Sequence, residues 1–243
     1  MKILIVRHGE PNYEENTLTD KGFVEAKYLG GKLGKIKIDE IYSSPLRRSI
    51  LTAKPTADLH NKEIVVLDWL TEFQGTCVDQ TTGKNVIPWN QMPNSWVNKK
   101  EYYDIHTWET EAWINTGNVS EKYDFVVKEF DKLLQQYGYY RENIIYKCEE
   151  NSEKTIVIFC HFALGMVLIS HLCGISPVML WQTMFLPASS VTTFVTEERV
   201  KGEVVFKCMQ MGDTSHLYAN NEEVSKSGLY PEIYGYEGQG AIV

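Results

Sequence analysis

Residues 3–10 read ILIVRHGE, a β-branched apolar run that ends in an arginine, a histidine and a glycine. The apolar run, residues 3–6, has the composition of a strand buried on both faces of a parallel sheet. Residues 155–161, TIVIFCH, repeat the arrangement with a second buried-type strand that ends at a histidine. Ligands of open α/β sheets bind beyond the carboxyl ends of the strands. We therefore expect His8 and His161 to face one another across one cleft.

The rest of the chain alternates between strand and helix patterns, which predicts a three-layer α/β/α fold with a mostly parallel central sheet. Thr19 is suited to cap the first helix, and Gly30 and Gly31 to end it. Pro55 falls inside the second helix, where it predicts a kink or an early end. The predicted elements are strands over residues 39–43, 64–67, 155–160, 190–196 and 203–209, and helices from Thr19, from Ser44 and Pro45, over 123–134 and over 163–172.

The composition changes between about residues 76 and 118, where four of the six tryptophans fall among many Asn, Thr and Lys residues. This stretch is too long for a plain connection in a compact domain. We interpret it as an insertion or cap within a single domain that spans residues 1–243. Its aromatic side chains either shape the leaving-group side of a pocket, bury the insertion against the sheet, or form a homodimer contact. The sequence leaves these alternatives open, and with them the oligomeric state.

The composition argues against several classes of protein. The chain has 32 acidic and 24 basic side chains, a net charge of -8, and no basic run, which disfavours nucleic acid and anionic membranes as partners. The apolar run at the N-terminus is too short for a signal sequence, and no run approaches a membrane-spanning length. Five cysteines without CxxC spacing are typical of reduced thiols. We expect a cytoplasmic protein with neither a disulfide framework nor a metal site.

Arginine is rare in this chain, and its positions are informative. Only five of the 24 basic residues are arginine, and three of these, Arg7, Arg47 and Arg48, lie beside the first histidine or in the segment SSPLRRS. A guanidinium binds phosphate oxygens in a planar, bidentate manner, whereas lysine offers a point charge. The pattern indicates an oxyanion pocket, with chance clustering of Arg47 and Arg48 on a helix surface as the alternative.

Five segments, taken in order, resemble a known family. They are RHGE at 7–10, LTDKG at 18–22, IYSSPLRRSILTA at 41–53, LTEF at 70–73, and the histidine at 161 after its strand. The RHG triplet alone is a weak signal, but the order and spacing of the segments together resemble the histidine phosphatase superfamily, the phosphoglycerate mutase-like proteins. The resemblance covers most of the chain, with the segment of residues 76–118 as its least informative part.

The resemblance implies a role for each matching residue. His8 resembles the nucleophile that becomes phosphohistidine, and Glu72 the carboxylic acid that protonates the leaving group. His161 is similar to the second histidine that contacts the phosphate, and Arg7 and Arg48 to the arginines that clamp it. Phosphoryl transfer depends mainly on positioning and on charge stabilisation, which these groups supply. The expectation is a phosphorylated small-molecule substrate and a reaction that needs no metal or other cofactor.

One departure from the family pattern bears on the activity. Only nine residues separate His8 from Leu18, whereas the cofactor-dependent mutases have a longer loop that helps to hold a second phosphate. The short loop favours a metal-independent phosphatase over a mutase. Asn12 and Asn16 in this loop are candidate phosphate ligands, with Asn16 preferred. The alternatives are a mutase, a catalytically inert phospho-ligand binding protein, and a metal site on Glu10 and the two histidines, whose spacing matches no tight zinc pattern.

A second departure is Phe162, which follows His161 where the family often has glycine. Backbone N–H donation from this turn is compatible with any side chain. The ring of Phe162 is therefore expected either to crowd the pocket or to line it.

Overall fold

A computed structural model describes residues 1–79 and 82–229. Its strands are β1 (Lys2–Arg7), β2 (Pro11–Asn12), β3 (Thr17–Leu18), β4 (Glu40–Ser43), β5 (Ile64–Val66), β6 (Cys77–Val78), β7 (Asn85–Val86), β8 (Tyr140–Glu142), β9 (Ile145–Lys147), β10 (Thr155–Cys160), β11 (Val191–Val200) and β12 (Glu203–Asp213). Its α-helices are α1 (Asp20–Leu33), α2 (Arg47–His60), α3 (Pro93–Trp96), α4 (Val119–Gln135), α5 (Phe162–Cys173), α6 (Pro177–Thr183) and α7 (Ser215–Tyr218). Short 3-10 turns lie at Asp68–Leu70, Lys100–Tyr103, Trp108–Thr110 and Ile114–Thr116.

The predicted α/β class is confirmed, with one large sheet in the order β5-β4-β10-β1-β11-β12-β9-β8. The prediction of a mostly parallel sheet is wrong, because the sheet is mixed. Strands β5, β4, β10 and β1 are parallel, whereas β1, β11, β12, β9 and β8 pair antiparallel. The sequence predicts the β11–β12 hairpin but not its pairing with β1. Strands β8 and β9 have three residues each, of which only Tyr146 is buried, so they show no buried apolar run.

Alternate residues of β1 face two different hydrophobic cores, as expected from the two-residue period of a strand. Ile3 and Ile5 join the larger core with side chains of α4, α5 and α6. Leu4 and Val6 join the smaller core with side chains of α1 and α2. Helices therefore pack on both faces at β1, and the strand holds its carboxyl end between them.

Three details of the helix boundaries differ from the sequence prediction or refine it. Thr19 caps α1 as predicted, and its side chain accepts a hydrogen bond from the N–H of Gly22. The helix continues past Gly30 to Leu33, because Gly30 packs closely on α2: a Cβ there would lie 2.8 Å from the Cβ of Pro55. Helix α2 begins at Arg47, after the Ser-Pro pair, and continues through Pro55 to His60.

The Trp-rich segment, residues 76–118, contains the β6–β7 hairpin, α3 and three 3-10 turns. Trp108 is completely buried, and its ring lies 5.0 Å from that of Tyr123 on α4 in an edge-on contact. Trp89 is only partly buried, and its ring lies 6.5 Å from that of Phe73. The segment is thus joined to the main core by Trp108 together with Cys77, Tyr102 and Ile114, and it presents Trp89 near Phe73.

No helix within the two described ranges combines the length and the apolar character needed to cross a membrane. All five cysteines are free thiols, and three of them are buried: Cys77, Cys148 and Cys160. Burial raises the pKa of the Cys77 thiol to about 12, so that it is protonated at neutral pH.

Candidate active site

The two strand-end histidines lie side by side. Strands β1 and β10 are parallel neighbours whose last residues, Arg7 and Cys160, are in register, so His8 and His161 follow at the same edge of the sheet. Their ring centroids are 5.1 Å apart, with 58° between the ring planes. Both side chains are almost completely buried. The structure therefore brings together the two histidines that the strand patterns single out.

A backbone contact determines the tautomer of His8. Its Nδ1 lies 2.7 Å from the carbonyl oxygen of Gly9, and because a carbonyl only accepts, Nδ1 must carry the proton. Burial and the charges of Arg7 and Arg48 hold the pKa of His8 well below its usual range. The ring is therefore neutral at physiological pH and has an unprotonated Nε2, the state that a nucleophilic histidine requires.

His161 is held from the opposite nitrogen. Its Nε2 lies 2.8 Å from the hydroxyl oxygen of Ser44, which also accepts a hydrogen bond from the N–H of Leu46. This arrangement favours donation from the Ser44 hydroxyl to Nε2 and a proton on Nδ1. The Nδ1 atom is buried and makes no hydrogen bond within the described part of the chain. Burial and His8 hold the pKa of His161 well below its usual range, so Nδ1 is available as a neutral donor.

Arg7 is a buried guanidinium that aromatic rings enclose. Its Nη1 donates to the carbonyl oxygen of Leu186 at 2.6 Å, and its Cζ lies 5.7 Å from the ring of Phe162 and 5.2 Å from that of Phe185. The Nε atom has no hydrogen-bond partner among the described residues. Phe162 therefore lines the site and packs on the guanidinium, a geometry in which an arginine and an aromatic face attract.

Arg48, the second arginine of the predicted pair, is the one that reaches the site. Its Cζ lies 5.4 Å from the ring of Tyr13, and its buried Nε makes no hydrogen bond among the described residues. Arg47 is exposed and lies outside the cleft. A guanidinium N–H that is buried without a partner costs free energy, which an anionic ligand between Arg7 and Arg48 would recover.

The carboxylate of Glu72 lies beside the first turn of α5 and is held by two backbone N–H groups. Its Oε1 accepts hydrogen bonds from the N–H groups of Phe73 at 2.8 Å and Leu164 at 3.1 Å. Burial raises its pKa above the ordinary value and outweighs the two hydrogen bonds and the nearby arginines, which act in the other direction. A carboxyl group with this bias keeps a proton at higher pH than an exposed glutamate does.

A cleft of about 690 Å³ opens over these groups. Arg7, Arg48 and Glu72 line it, whereas the two histidines lie buried beside the arginines and do not. Its remaining walls are mainly aromatic and amide side chains: Phe73, Trp89, Phe162, Trp181, Phe185, Gln74, Asn90, Gln91 and Gln182. Within residues 1–79 and 82–229, no group of three or more His, Cys, Asp or Glu side chains is arranged to hold a metal ion.

The structure does not bring the predicted asparagine into the cleft. Asn16 is exposed at a turn with φ of 50°, and the side chain of Asn12 accepts a hydrogen bond from the N–H of Glu15. Tyr13 from the same loop lines the cleft instead, as does Gly228 near the end of the described chain. Neither has a distinctive sequence signal, since a tyrosine in a polar loop and a glycine in an irregular segment are both common.

The other histidines with buried contacts have structural partners. His171 bonds Asp131 through its Nε2 at 2.9 Å, and this side chain on α5 thereby ties α5 to α4. His216 lies 3.0 Å from the hydroxyl of Ser189, and burial lowers its pKa to about 4. Neither lines the cleft.

Comparison with known proteins connects this geometry to a family. The model of the histidine phosphatase superfamily (branch 1) matches residues 3–207. A 2,3-bisphosphoglycerate-dependent phosphoglycerate mutase of Thermoplasma acidophilum is 36% identical over 84 residues, 30% of this chain and 42% of that protein. Phosphoserine phosphatase 1 of Hydrogenobacter thermophilus is 33% identical over 82 residues, 30% of this chain and 39% of that protein. The chain thus matches about two fifths of the length of these two relatives.

Solved structures extend the likeness over most of the chain. A phosphoserine phosphatase of Entamoeba histolytica in complex with 3-phosphoglyceric acid superimposes with a TM-score of 0.58 at 22% identity, over 89% of this chain and 98% of that one. A mycobacterial glucosyl-3-phosphoglycerate phosphatase with inorganic phosphate gives a TM-score of 0.56 at 16% identity, over 88% and 98%. At these identities the likeness shows a shared fold.

Proposed function

The chain belongs to the histidine phosphatase superfamily, and from this premise we propose that it is a phosphatase that hydrolyses phosphomonoesters through a phosphohistidine on His8. The observation that carries the proposal is the hydrogen bond from His8 Nδ1 to the carbonyl oxygen of Gly9. It leaves Nε2 unprotonated beside two arginines whose Nε atoms are unpaired among the described residues. Phosphoryl transfer needs a nucleophile beside positively charged N–H donors that are free to bind the phosphate oxygens.

The proposed reaction has two steps. In the first, Nε2 of His8 forms a bond to phosphorus, the bond to the ester oxygen breaks, and Glu72 gives that oxygen its proton. Arg7, Arg48 and Nδ1 of His161 stabilise the charge on the other phosphate oxygens. In the second step, Glu72 takes a proton from water, the water oxygen attacks phosphorus, and phosphate leaves His8. Because the two guanidinium groups supply the positive charge, the mechanism does not call for a metal ion.

The cleft walls support a substrate whose leaving group is polar and uncharged. Of the lining residues in the described ranges, only Arg7 and Arg48 are positively charged, and the transferred phosphate occupies both. The rest of the lining combines amide side chains, such as Gln91 and Gln182, with the rings of Trp89 and Trp181. Amides and aromatic faces bind hydroxyl groups and apolar ring surfaces well, but they do not neutralise a second anionic group.

We also propose that residues 76–118 act as a cap on the leaving-group side, over a three-layer domain. Gln182 of α6 connects this segment to the cleft wall: its amide donates to the carbonyl oxygen of Pro88 at 2.7 Å and accepts from the N–H of Gln91 at 3.2 Å. These two hydrogen bonds hold the loop that carries Trp89 against α6. The two cores on opposite faces of the sheet support the three-layer arrangement.

A mutase-type phosphotransfer is the second candidate, and the partial match to the Thermoplasma mutase is the observation that favours it. Such an enzyme depends on a bisphosphorylated activator, so it would move phosphate between two positions of a substrate only when that activator is present.

A cytoplasmic setting is part of the proposal, and the five free cysteines support it because such thiols persist in a reducing compartment.

The test is phosphate release from an aryl phosphate in the presence of a chelator, with native protein, His8→Ala and His106→Ala. His106 is an exposed histidine outside the cleft and serves as the matched control. We expect native protein and His106→Ala to turn over, and His8→Ala to be inactive although folded. Turnover by His8→Ala would refute the covalent mechanism. If none of the three turns over but vanadate raises the melting temperature of the native protein, the site binds phosphate without hydrolysing its esters.

The same assay tests the substrate class. Phosphate esters of neutral polyols are compared with esters of the same length that also carry a carboxylate. We expect kcat/KM to be higher for the neutral esters by about tenfold or more, the range that one mismatched group produces. A preference for the carboxylated esters would contradict the proposed substrate class while leaving the phosphohistidine mechanism intact.

A further inference from the structure

One peptide group connects His8 to a buried carboxylate. Nδ1 of His8 donates to the carbonyl oxygen of Gly9, and the N–H on the other side of the same peptide, that of Glu10, donates to Oε2 of Glu25 at 2.8 Å. The sequence of contacts is thus imidazole, peptide, carboxylate. It has the order of a histidine and its orienting carboxylate in a catalytic triad, with a peptide group placed between them.

Helix α1 brings Glu25 to this position because the His8–Glu10 loop lies directly on its first turns. A Cβ on Gly22 would lie 2.2 Å from the carbonyl oxygen of Glu10, and one on Gly9 would lie 2.8 Å from that of Gly22. Only two glycines in contact allow this approach. Glu25 follows Gly22 by three residues, on the same face of the helix, and its side chain is completely buried.

The second oxygen of Glu25, Oε1, is buried and has no hydrogen-bond partner among the described residues. A protein that needed only to satisfy the N–H of Glu10 could do so with a neutral acceptor and avoid the cost of a buried carboxyl. Glu25 also lies outside the cleft lining, and the hydrogen bond of its carboxylate is made to the N–H of Glu10. Its position is explained by what it does to the peptide that His8 uses.

We propose that Glu25 is a positioning residue for the phosphatase reaction: through the Gly9–Glu10 peptide, its carboxylate holds His8 as the Nδ1–H tautomer and strengthens Nε2 as a nucleophile. A charged acceptor forms a stronger hydrogen bond than a neutral one, and hydrogen bonds in a chain polarise one another. Electron density at the Gly9 carbonyl therefore increases when Glu25 is ionised, and with it the pull on the Nδ1 proton. The inference rests on the proposed function for its catalytic consequence only.

Ionisation of Glu25 occurs near neutrality. Burial raises its pKa to about 7, and the charged or titratable groups that face it are Glu10 in the loop, Lys21 on α1, Glu222 in the C-terminal segment and Arg7 on β1. Above this pH the carboxylate is charged, and the relay of contacts from His8 through the Gly9–Glu10 peptide to Glu25 is complete. As the pH falls through about 7, the proton on Glu25 weakens the hydrogen bond from Glu10, and the rate falls with it.

The kinetic test compares Glu25→Gln, which keeps an acceptor oxygen but removes the charge, with Thr52→Val as the matched control. Thr52 accepts from the N–H of Gly9 at 2.9 Å and so holds the same loop through the neighbouring peptide, without a charge. The substrate is an aryl phosphate, because its leaving group makes the acid Glu72 dispensable. The readout is kcat/KM as a function of pH from 5.5 to 8.5.

We expect Glu25→Gln to lower kcat/KM at pH 8 by about tenfold, the lower end of what second-sphere partners of a functional histidine contribute. We also expect the variant's plot of kcat/KM against pH to lack the decrease near pH 7, so that only the decrease caused by protonation of the substrate phosphate remains. Thr52→Val should lower the rate without changing the shape of the profile. Native rates and an unchanged profile in Glu25→Gln would refute the proposal.

A second measurement follows the native protein without turnover and uses a variant only to assign the signal. In native protein labelled with nitrogen-15 at histidine, the Nδ1–H proton of His8 is identified by its loss in His8→Ala and followed by NMR from pH 5.5 to 8.5. We expect its resonance to move downfield as the pH rises, with a midpoint near 7. A signal that does not move would refute the role of Glu25. If the signal titrates but no phosphate ester is hydrolysed, the proposed function fails and the relay stands.

Discussion

Replacing Glu72 by glutamine should separate the two chemical roles that a phosphatase requires of this site. In the folded protein a single oxygen of Glu72 accepts both backbone hydrogen bonds, from Phe73 at 2.8 Å and from Leu164 at 3.1 Å. The amide oxygen of glutamine can accept both, so stability should change by less than about 1 kcal/mol. The amide has no acidic proton to give. Hydrolysis of alkyl phosphates, whose alkoxide must be protonated, should therefore fall about 10²- to 10⁴-fold.

The assay measures kcat/KM for an alkyl and an aryl phosphate with Glu72→Gln. Aryl phosphates leave without protonation, so their hydrolysis should fall by less than about tenfold, well short of the contribution of a general acid. Glu109→Gln is the matched control, because burial also raises the pKa of Glu109 although it lies outside the cleft. Equal losses on the two substrates, or the same loss in Glu109→Gln, would refute the assignment of Glu72 as the acid.

Three further predictions concern stability. Trp108→Ala should lower the free energy of unfolding by about 3–5 kcal/mol, measured by urea titration, because the side chain is completely buried. An undiminished value would show that the segment of residues 76–118 is not anchored there. Gly22→Ala should lower the free energy of unfolding by about 1–3 kcal/mol and reduce turnover, because the new Cβ would lie 2.2 Å from the carbonyl oxygen of Glu10. Gly31→Ala in the same helix is the control: its Cβ would have no neighbour within 4 Å, so the variant should be neutral or stabilising. Burial lowers the pKa of His216 to about 4 in the folded protein, against about 6.5 in the unfolded chain, so the unfolded chain binds the proton first as the pH falls. Between pH 7 and pH 5 the free energy of unfolding of the native protein should therefore fall by about 2 kcal/mol more than that of His216→Gln. Equal losses would contradict burial of a neutral His216.

The apolar strands of the two strand-end motifs can be predicted from the sequence because local patterns specify them. A buried parallel strand needs a continuous apolar run. The run at residues 3–6 lies within the strand Lys2–Arg7, and the strand predicted over residues 155–160 has those bounds in the structure. The helix boundaries were less accessible. Gly30 does not end α1, because the glycine serves the close contact with α2, and that contact is made by a residue 25 positions away.

The antiparallel half of the sheet illustrates a different limit. Strands β8 and β9 have only three residues each, of which Tyr146 alone is buried, so neither pattern nor propensity distinguishes them from a polar loop. The pairing of β11 with β1 joins residues almost 200 positions apart, such as Lys2 and Val195. Nothing in either segment alone specifies its partner, since many apolar strands of similar length would fit the same edge.

The sequence by itself determined the α/β class, the family resemblance and the candidate side chains of the site. His8, His161, Arg7, Arg48 and Glu72 can be named in advance because a strand end, a rare arginine and an ordered set of motifs are local features of the chain. Tertiary structure alone decided which nitrogen of His8 carries the proton, which loop residue lines the cleft, and that Glu25 is connected to His8. The physical reason is that hydrogen bonding and desolvation act over a few ångströms in space, between groups whose separation along the chain carries no information about that distance.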